Sequence, residues 1–230
     1  MVHARVDLKQ LLSFADGPEA VPDLTAYFGT DLTPGSAPRY TGGRFEGLSG
    51  GGDRPEAADR VDADDLIAVE MLSVQVPGPV ALALLEGQLG RDIATQLAQI
   101  PTDVSIGEPA AVDLLAAGGP ADVAWSLLEQ SRNMGWVTAG KLLARKRPHL
   151  VPVYDNVVRC AFGRPAKPWK WLHDRFAESG GVLAERLAAV REAAGVSPSV
   201  SPLRVLDVVV WMRHRPDHRR CLPALTARDS

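Results

Sequence analysis

Asp155 stands at the head of an apolar run, Val153-Tyr154-Asp155-Asn156-Val157-Val158-Arg159. A carboxylate in such surroundings costs free energy unless something compensates it. The amides of a helix start do so if Asp155 is an N-cap. A positively charged transition state does so if Asp155 is a catalytic group facing an oxocarbenium-like centre. The residue types leave both open. Upstream, Asn133-Met134-Gly135 reads as a tight turn between two helices, the second of which offers its N-terminal amides to a phosphate. That second helix ends in Arg145, Lys146 and Arg147, suited to its negative end. With Arg159, Lys167 and Lys170 they are candidates for backbone phosphates, or simply a solvated face. Trp136, Tyr154, Trp169 and Trp171 supply aromatic surface, for a ligand or for the core.

Asn133-Met134-Gly135-Trp136-Val137-Thr138-Ala139 resembles the helix-hairpin-helix of the base-excision DNA glycosylase superfamily, whose hairpin reads Pro-Gly-apolar-Gly-x-x-Thr-Ala. With Thr138-Ala139 on the family's Thr-Ala, Asp155 lies 17 positions beyond Thr138, where the family places its catalytic Asp, and Val158 and Arg159 follow. The resemblance is local, covering residues 133–159. It implies that Asp155 is catalytic, that double-stranded DNA is the partner, and that Asn133, Gly135, Trp136, Val137, Thr138, Lys141, Arg145, Lys146, Arg147 and Arg159 contact it. A flipped base needs a pocket with aromatic walls, for which Tyr154, Trp169 and Trp171 are the candidates, with Trp136 beside them. Asn133 replaces the first hairpin glycine and tolerates the left-handed conformation better than most residues. Val137 stands where bifunctional members carry a nucleophilic Lys, so hydrolysis without lyase chemistry is implied; Lys141 lies a helical turn further on. The whole chain also resembles an uncharacterised family of actinobacterial proteins, which carries no activity to borrow.

The rest of the sequence narrows the classes. The 230 residues are long enough for a real core, and at 46% hydrophobic and 23% charged they read as one soluble helical domain over 1–230. No membrane span or secretory leader is expected, and the cytoplasm is the default compartment. Two cysteines, Cys160 and Cys221, are too few for a disulfide framework or a Cys-based zinc site. His214 and His218 are separated by Pro216, which argues against a shared metal-binding face, and neither a metal nor a cofactor is expected. There is no nucleophile elbow, no H-E-x-x-H and no dinucleotide fingerprint. The net charge of -3 divides unevenly. Residues 1–131 carry 7 basic and 20 acidic side chains, and residues 132–230 carry 18 and 8. A basic part can hold a polyanion, or it can pack against the acidic one.

The elements that must position these residues read as helices throughout, and the fold class is all-α, a multi-helix bundle. Helical patterns run over 6–14, 21–28, 62–76, 79–87, 90–100, 110–118, 121–133, from 136 to 147, then 157–162, 168–178, 181–194 and 202–213. Asp62, Asp64 and Asp65 read as capping. The last helix is apolar almost all round, so Asp207 within it needs a partner, expected from an Arg of a neighbouring helix. Residues 33–65 are rich in Gly, Pro, Asp and Ser, the signature of a long mobile loop, and the part over 41–52 is a candidate lid. Three functions are therefore carried forward: a DNA glycosylase without lyase activity, a non-catalytic helical module binding nucleic acid or protein, and a small-molecule enzyme closed by the Gly-rich loop.

Overall fold

The computed structural model describes residues 6–215, which form an all-α structure with no strand among them. The helices are α1 (Leu8–Asp16), α2 (Ala20–Phe28), α3 (Ala63–Glu70), α4 (Gly78–Leu85), α5 (Gln88–Leu97), α6 (Ala111–Leu115), α7 (Pro120–Glu129), α8 (Gly135–Lys146), α9 (Asn156–Ala161), α10 (Pro168–Glu178), α11 (Val182–Ala193) and α12 (Pro202–His214). Their starts follow local chemistry. Asp7 and Gln10 close a capping box on α1, Asp62 and Asp65 close one on α3, and the Ser201 hydroxyl accepts from the Arg204 amide to open α12. Pro120, Pro168 and Pro202 occupy first-turn positions where no amide is needed. The third helix stops sooner than its apolar pattern, because Ser73 adopts φ 60° and turns the chain. No helix among the described residues is long and apolar enough to cross a membrane. Cys160 on α9 is disulfide-bonded; Cys221, like His218, lies outside the described residues.

Two hydrophobic clusters carry the fold. One gathers α1 and α2 with α9 to α12, joining the two ends of the described chain; α12 supplies its centre with Leu203, Val205, Leu206, Val208, Val209 and Val210 all buried. The other gathers α3 to α8. The connection from α8 to α9 runs between them, with Val153 in the second cluster and Tyr154 in the first.

The three cations at the end of α8 do not face solvent. Arg145, Lys146 and Arg147 are 2%, 0% and 1% exposed. Arg145 donates to the carbonyls of Phe45, Glu46 and Leu48 and to Asp65; Lys146 donates to Ala57 and Asp65; Arg147 donates to Ala58, Leu97, Ile100 and the Asp59 carboxylate. Burial pushes the Asp65 carboxyl up and the Lys146 ammonium down, and each charge opposes the shift of the other. The expectation that these three residues touch DNA phosphates is therefore corrected: their donors are consumed inside the protein. The long Gly- and Pro-rich segment over residues 33–65 is irregular as expected, with 33–39 exposed, but its later part is packed onto the protein. Residues 41–44 and 48–50 form 3-10 turns, and Phe45, Gly51, Gly52, Ala57, Ala58 and Val61 are buried under the cations. Gly52 packs so closely that a Cβ there would lie 2.5 Å from the Arg145 carbonyl oxygen.

The charge asymmetry of the sequence resolves the same way. Asp16, Asp23, Glu46, Asp59 and Asp65 pair with Arg186, Arg213, Arg204, Arg147 and Arg145 respectively, so the acidic and basic parts pack on each other.

Replacing Arg145 by Met removes the donors of four interactions, to Asp65 and to the Phe45, Glu46 and Leu48 carbonyls, and leaves Lys146 as the one cation on Asp65. The expected cost is about 3–5 kcal/mol, the range for breaking a buried ion pair from one side. Urea unfolding measures it, and limited proteolysis should cut within residues 45–62 in the variant but not in the wild type. A stability loss below about 1 kcal/mol with no new cleavage would show that these contacts hold nothing together.

Candidate functional site

The hairpin between α7 and α8 forms as its residues require. Asn133 and Gly135 both take left-handed backbone, φ 63° and φ 67°, and the Met134 side chain between them is buried. Asn133 and Gly135 are exposed, Trp136 and Val137 half-buried, and Thr138 buried. The chain leaves α8 at Arg147 and returns through residues 148–155 in a mostly extended connection whose side chains alternate. Pro152 and Tyr154 face one cavity, and Val153 and Asp155 face another. The connection is a partition between two cavities, and adjacent residues belong to different sides of it.

On the Asp155 side the cavity measures about 600 Å³. Asp155 is the N-cap of α9: its Oδ1 accepts from the Val157 amide at 2.9 Å and the Val158 amide at 3.1 Å. Its Oδ2 lies 3.8 Å from Lys141 Nζ, which itself donates to the Leu72 carbonyl at 2.8 Å. Burial pushes the Lys141 ammonium down, and Asp155 opposes that shift. One oxygen caps the helix while the carboxylate still borders a cavity also lined by Val137 and Lys141.

The floor of this cavity is a buried charge cluster. Arg204 on α12 holds Glu46, Asp207 and the Tyr27 hydroxyl, and its Nη2 reaches the Gly42 carbonyl at 3.3 Å. The partner of Asp207 is therefore one turn back on its own helix, not on a neighbour. Counting formal charges, Arg204 and Lys141 oppose Glu46, Asp155 and Asp207, so the cluster has one carboxylate too many. Protonation of one carboxylate would remove the excess, and Asp207 is the one whose carboxyl is raised. Burial raises its carboxyl to about 7, against the lowering effect of Arg204 and with the help of Asp155. The wall is aromatic. Tyr27 and Tyr40 stack at 5.3 Å and 12°, and Trp211 meets both edge-on at 6.0 Å. Gly42 makes room for this wall, since a Cβ there would lie 2.1 Å from the Tyr27 hydroxyl.

The predicted site residues divide. Val137, Lys141 and Asp155 meet at this cavity, while Asn133 and Gly135 stay in the hairpin turn and are not among its lining. The predicted base-pocket residues do not meet there. Tyr154 and Trp169 line the cavity across the partition, together with Trp136 and Arg159, and Trp171 packs on Phe162 at 5.0 Å. The aromatic wall that Asp155 does face comes from Tyr27, Tyr40 and Trp211, none of which the hairpin motif could indicate. Thr41 and Gly42 of the Gly-rich segment are also part of the wall, so this segment is a fixed side of the cavity rather than a detached lid. Among the described residues no group of His, Cys, Asp and Glu could hold a metal ion.

The raised Asp207 carboxyl has a measurable consequence. The unfolded chain releases that proton near pH 3.9 and the folded chain near 7. Between those values the folded state binds the extra proton. The contribution to stability is therefore greatest below about pH 4 and is lost as pH rises to about 7, with a span of about 4 kcal/mol. The unfolding free energy of the wild type minus that of Asp207→Asn should fall across this window and level off above it. A difference constant from pH 4.5 to 8 would place the proton elsewhere.

The chain belongs to DUF6308, a family of unknown function whose model matches residues 20–214. No curated protein and no solved structure matches it.

Proposed function

For this member of a family without an assigned activity, we propose hydrolysis of the N-glycosidic bond of a base flipped out of double-stranded DNA, with Asp155 as the catalytic carboxylate. One observation carries the proposal: the helix that follows the hairpin turn, through Val137 and Lys141, and the Asp155 carboxylate border the same aromatic-walled cavity. The likeness of residues 133–159 to the glycosylase hairpin supplies the reaction class, and the cavity supplies the parts it needs.

A base entering beside Tyr40 and Trp211 finds aromatic faces of the kind on which unstacked bases settle. As the bond from the sugar carbon to the base nitrogen stretches, positive charge grows on the sugar, and the Asp155 carboxylate stabilises it. The two α9 amides and Lys141 hold that carboxylate in place. A water oxygen then bonds to the sugar carbon, and the water gives one proton to the departing base. Val137 offers no amine where a nucleophilic lysine would stand, and Lys141 Nζ is engaged by Leu72 and Asp155, so the product is an intact abasic strand.

The DNA contacts must be fewer than the sequence implied, with Arg145, Lys146 and Arg147 withdrawn into the protein. Asn133 and Gly135 of the hairpin turn remain exposed. Arg215 lies 5.0 Å from the Tyr40 ring and 5.2 Å from the Trp211 ring, placing an exposed cation on the aromatic wall. Such a footprint predicts a modest dependence of binding on salt, because each phosphate contact adds roughly one unit to the slope.

Duplexes carrying alkylated, oxidised, deaminated or otherwise modified bases should yield alkali-labile abasic sites with at least one of these base classes, and no strand break before alkali. Asp155→Asn, which can still cap α9, should lower the rate by about 100- to 1,000-fold, the scale of losing one preorganised electrostatic group. Undiminished activity in that variant removes the mechanism. Failure to bind duplex at low salt removes DNA as the substrate.

A further inference from the structure

We propose that the cavity on the Tyr154 side of the partition is a second ligand site, built for a planar aromatic molecule carrying an anionic group. It measures about 1060 Å³, at the upper end of the range for small-molecule sites. Its chemistry differs from that of the Asp155 cavity. Trp125 and Trp169 meet edge-to-face at 6.4 Å and 80°, and the Trp125 ring nitrogen donates to the Trp136 carbonyl at 3.3 Å. Three indoles are thereby held in fixed positions around an apolar space, where a planar ring gains both area burial and ring contacts.

The polar groups at the α9 side point to an anion. Tyr154 is 6% exposed, and its hydroxyl is buried with no hydrogen-bond partner among the described residues. A buried hydroxyl without a partner is costly, so this donor is the feature a ligand oxygen would satisfy. Arg159 and Arg164 act electrostatically on that hydroxyl, and the Arg159 guanidinium lies 5.4 Å from the Trp136 ring, poised at the same side. The carboxylates around the cavity are placed differently. Asp122 accepts from the Gly118 amide at 2.9 Å, Asp174 is paired with Lys170 at 2.8 Å, and Glu129 stands with Asp122 on α7. His173 shares its Nδ1 with the Ile106 carbonyl. The ligand's anionic oxygen therefore belongs at Tyr154 and Arg159, with its ring among the tryptophans.

Three probes of one ring size test this on the full chain: naphthalene-2-sulfonate, neutral naphthalene-2-methanol and the cationic 2-naphthyltrimethylammonium ion. Calorimetry and quenching of tryptophan fluorescence read the binding, with neither DNA nor turnover involved. The sulfonate should bind saturably and about tenfold or more tighter than the neutral probe, the gain expected from a hydrogen bond to a charged group. Tyr154→Phe and Arg159→Met, each checked to melt as the wild type does, should each remove about that factor. Asp155→Asn, across the partition, should leave the sulfonate affinity unchanged. Equal affinity for the three probes, a preference for the cation, or a sulfonate affinity untouched by both variants overturns the proposal.

Discussion

The structure depends on the three consecutive cations that end α8. Moving a charge out of water costs several kcal/mol even after relaxation, and these three are moved together. What makes the arrangement stable is that each is given several acceptors, and that those acceptors need donors themselves. The segment between α2 and α3 has little regular structure to satisfy its carbonyls, and a buried carbonyl without a partner is also costly. Successive residues on a helix point about 100° apart, so Arg145, Lys146 and Arg147 reach three different stretches: residues 45–48, the Ala57 and Asp65 pair, and residues 58–59 with the end of α5. The helix end works as a hub on which a long irregular segment is fixed.

The candidate site inherits its shape from that hub. Once Phe45 and Glu46 are fixed by Arg145, Glu46 is in place to meet Arg204, and Tyr40 and Thr41 are set as a wall. Arg204 then draws Tyr27 and Asp207 into the same cluster. A cluster with two cations and three carboxylates holds a proton that neither a neutral nor a fully paired cavity would hold. Asp155 is the one carboxylate of the three that caps a helix and still borders the open cavity, with two backbone amides on one oxygen and Lys141 near the other.

Much of this was legible in the sequence, in a particular order. Helix starts were readable because Asp7, Asp62, Ser201 and the first-turn prolines act locally, and Asp155 as an N-cap follows from the same rule. The fate of Arg145, Lys146 and Arg147 was not readable. A basic helix end looks the same whether water or remote carbonyls receive it, and here the receiving residues lie 47 to 100 positions away. The aromatic wall was hidden for the same reason, since Tyr27 and Arg204 meet across 177 positions through the packing of α12 on α2. Asp207 was half legible: its burial was evident from the apolar helix, but its partner sat at the i,i+3 spacing that helix geometry favours.

The partition between the two cavities shows why sequence proximity misled where it seemed safest. Tyr154 next to Asp155 suggests a shared pocket, yet in an extended segment neighbouring side chains leave on opposite faces, and the two hydrophobic clusters claim one face each. The register of this short connection therefore decides which chemistry faces which cavity. It is held at one end by Arg147, whose carbonyl receives the Leu150 and Val151 amides, and at the other by the Asp155 cap on α9. Pro152 between them restricts the backbone further. A slip of one residue would carry the phenol to the charged cavity and the carboxylate to the indoles, burying each against the wrong partners. The same physical rule that keeps Asp155 facing Lys141 thus keeps Tyr154 facing Arg159, and two binding environments of different character arise from one strip of chain.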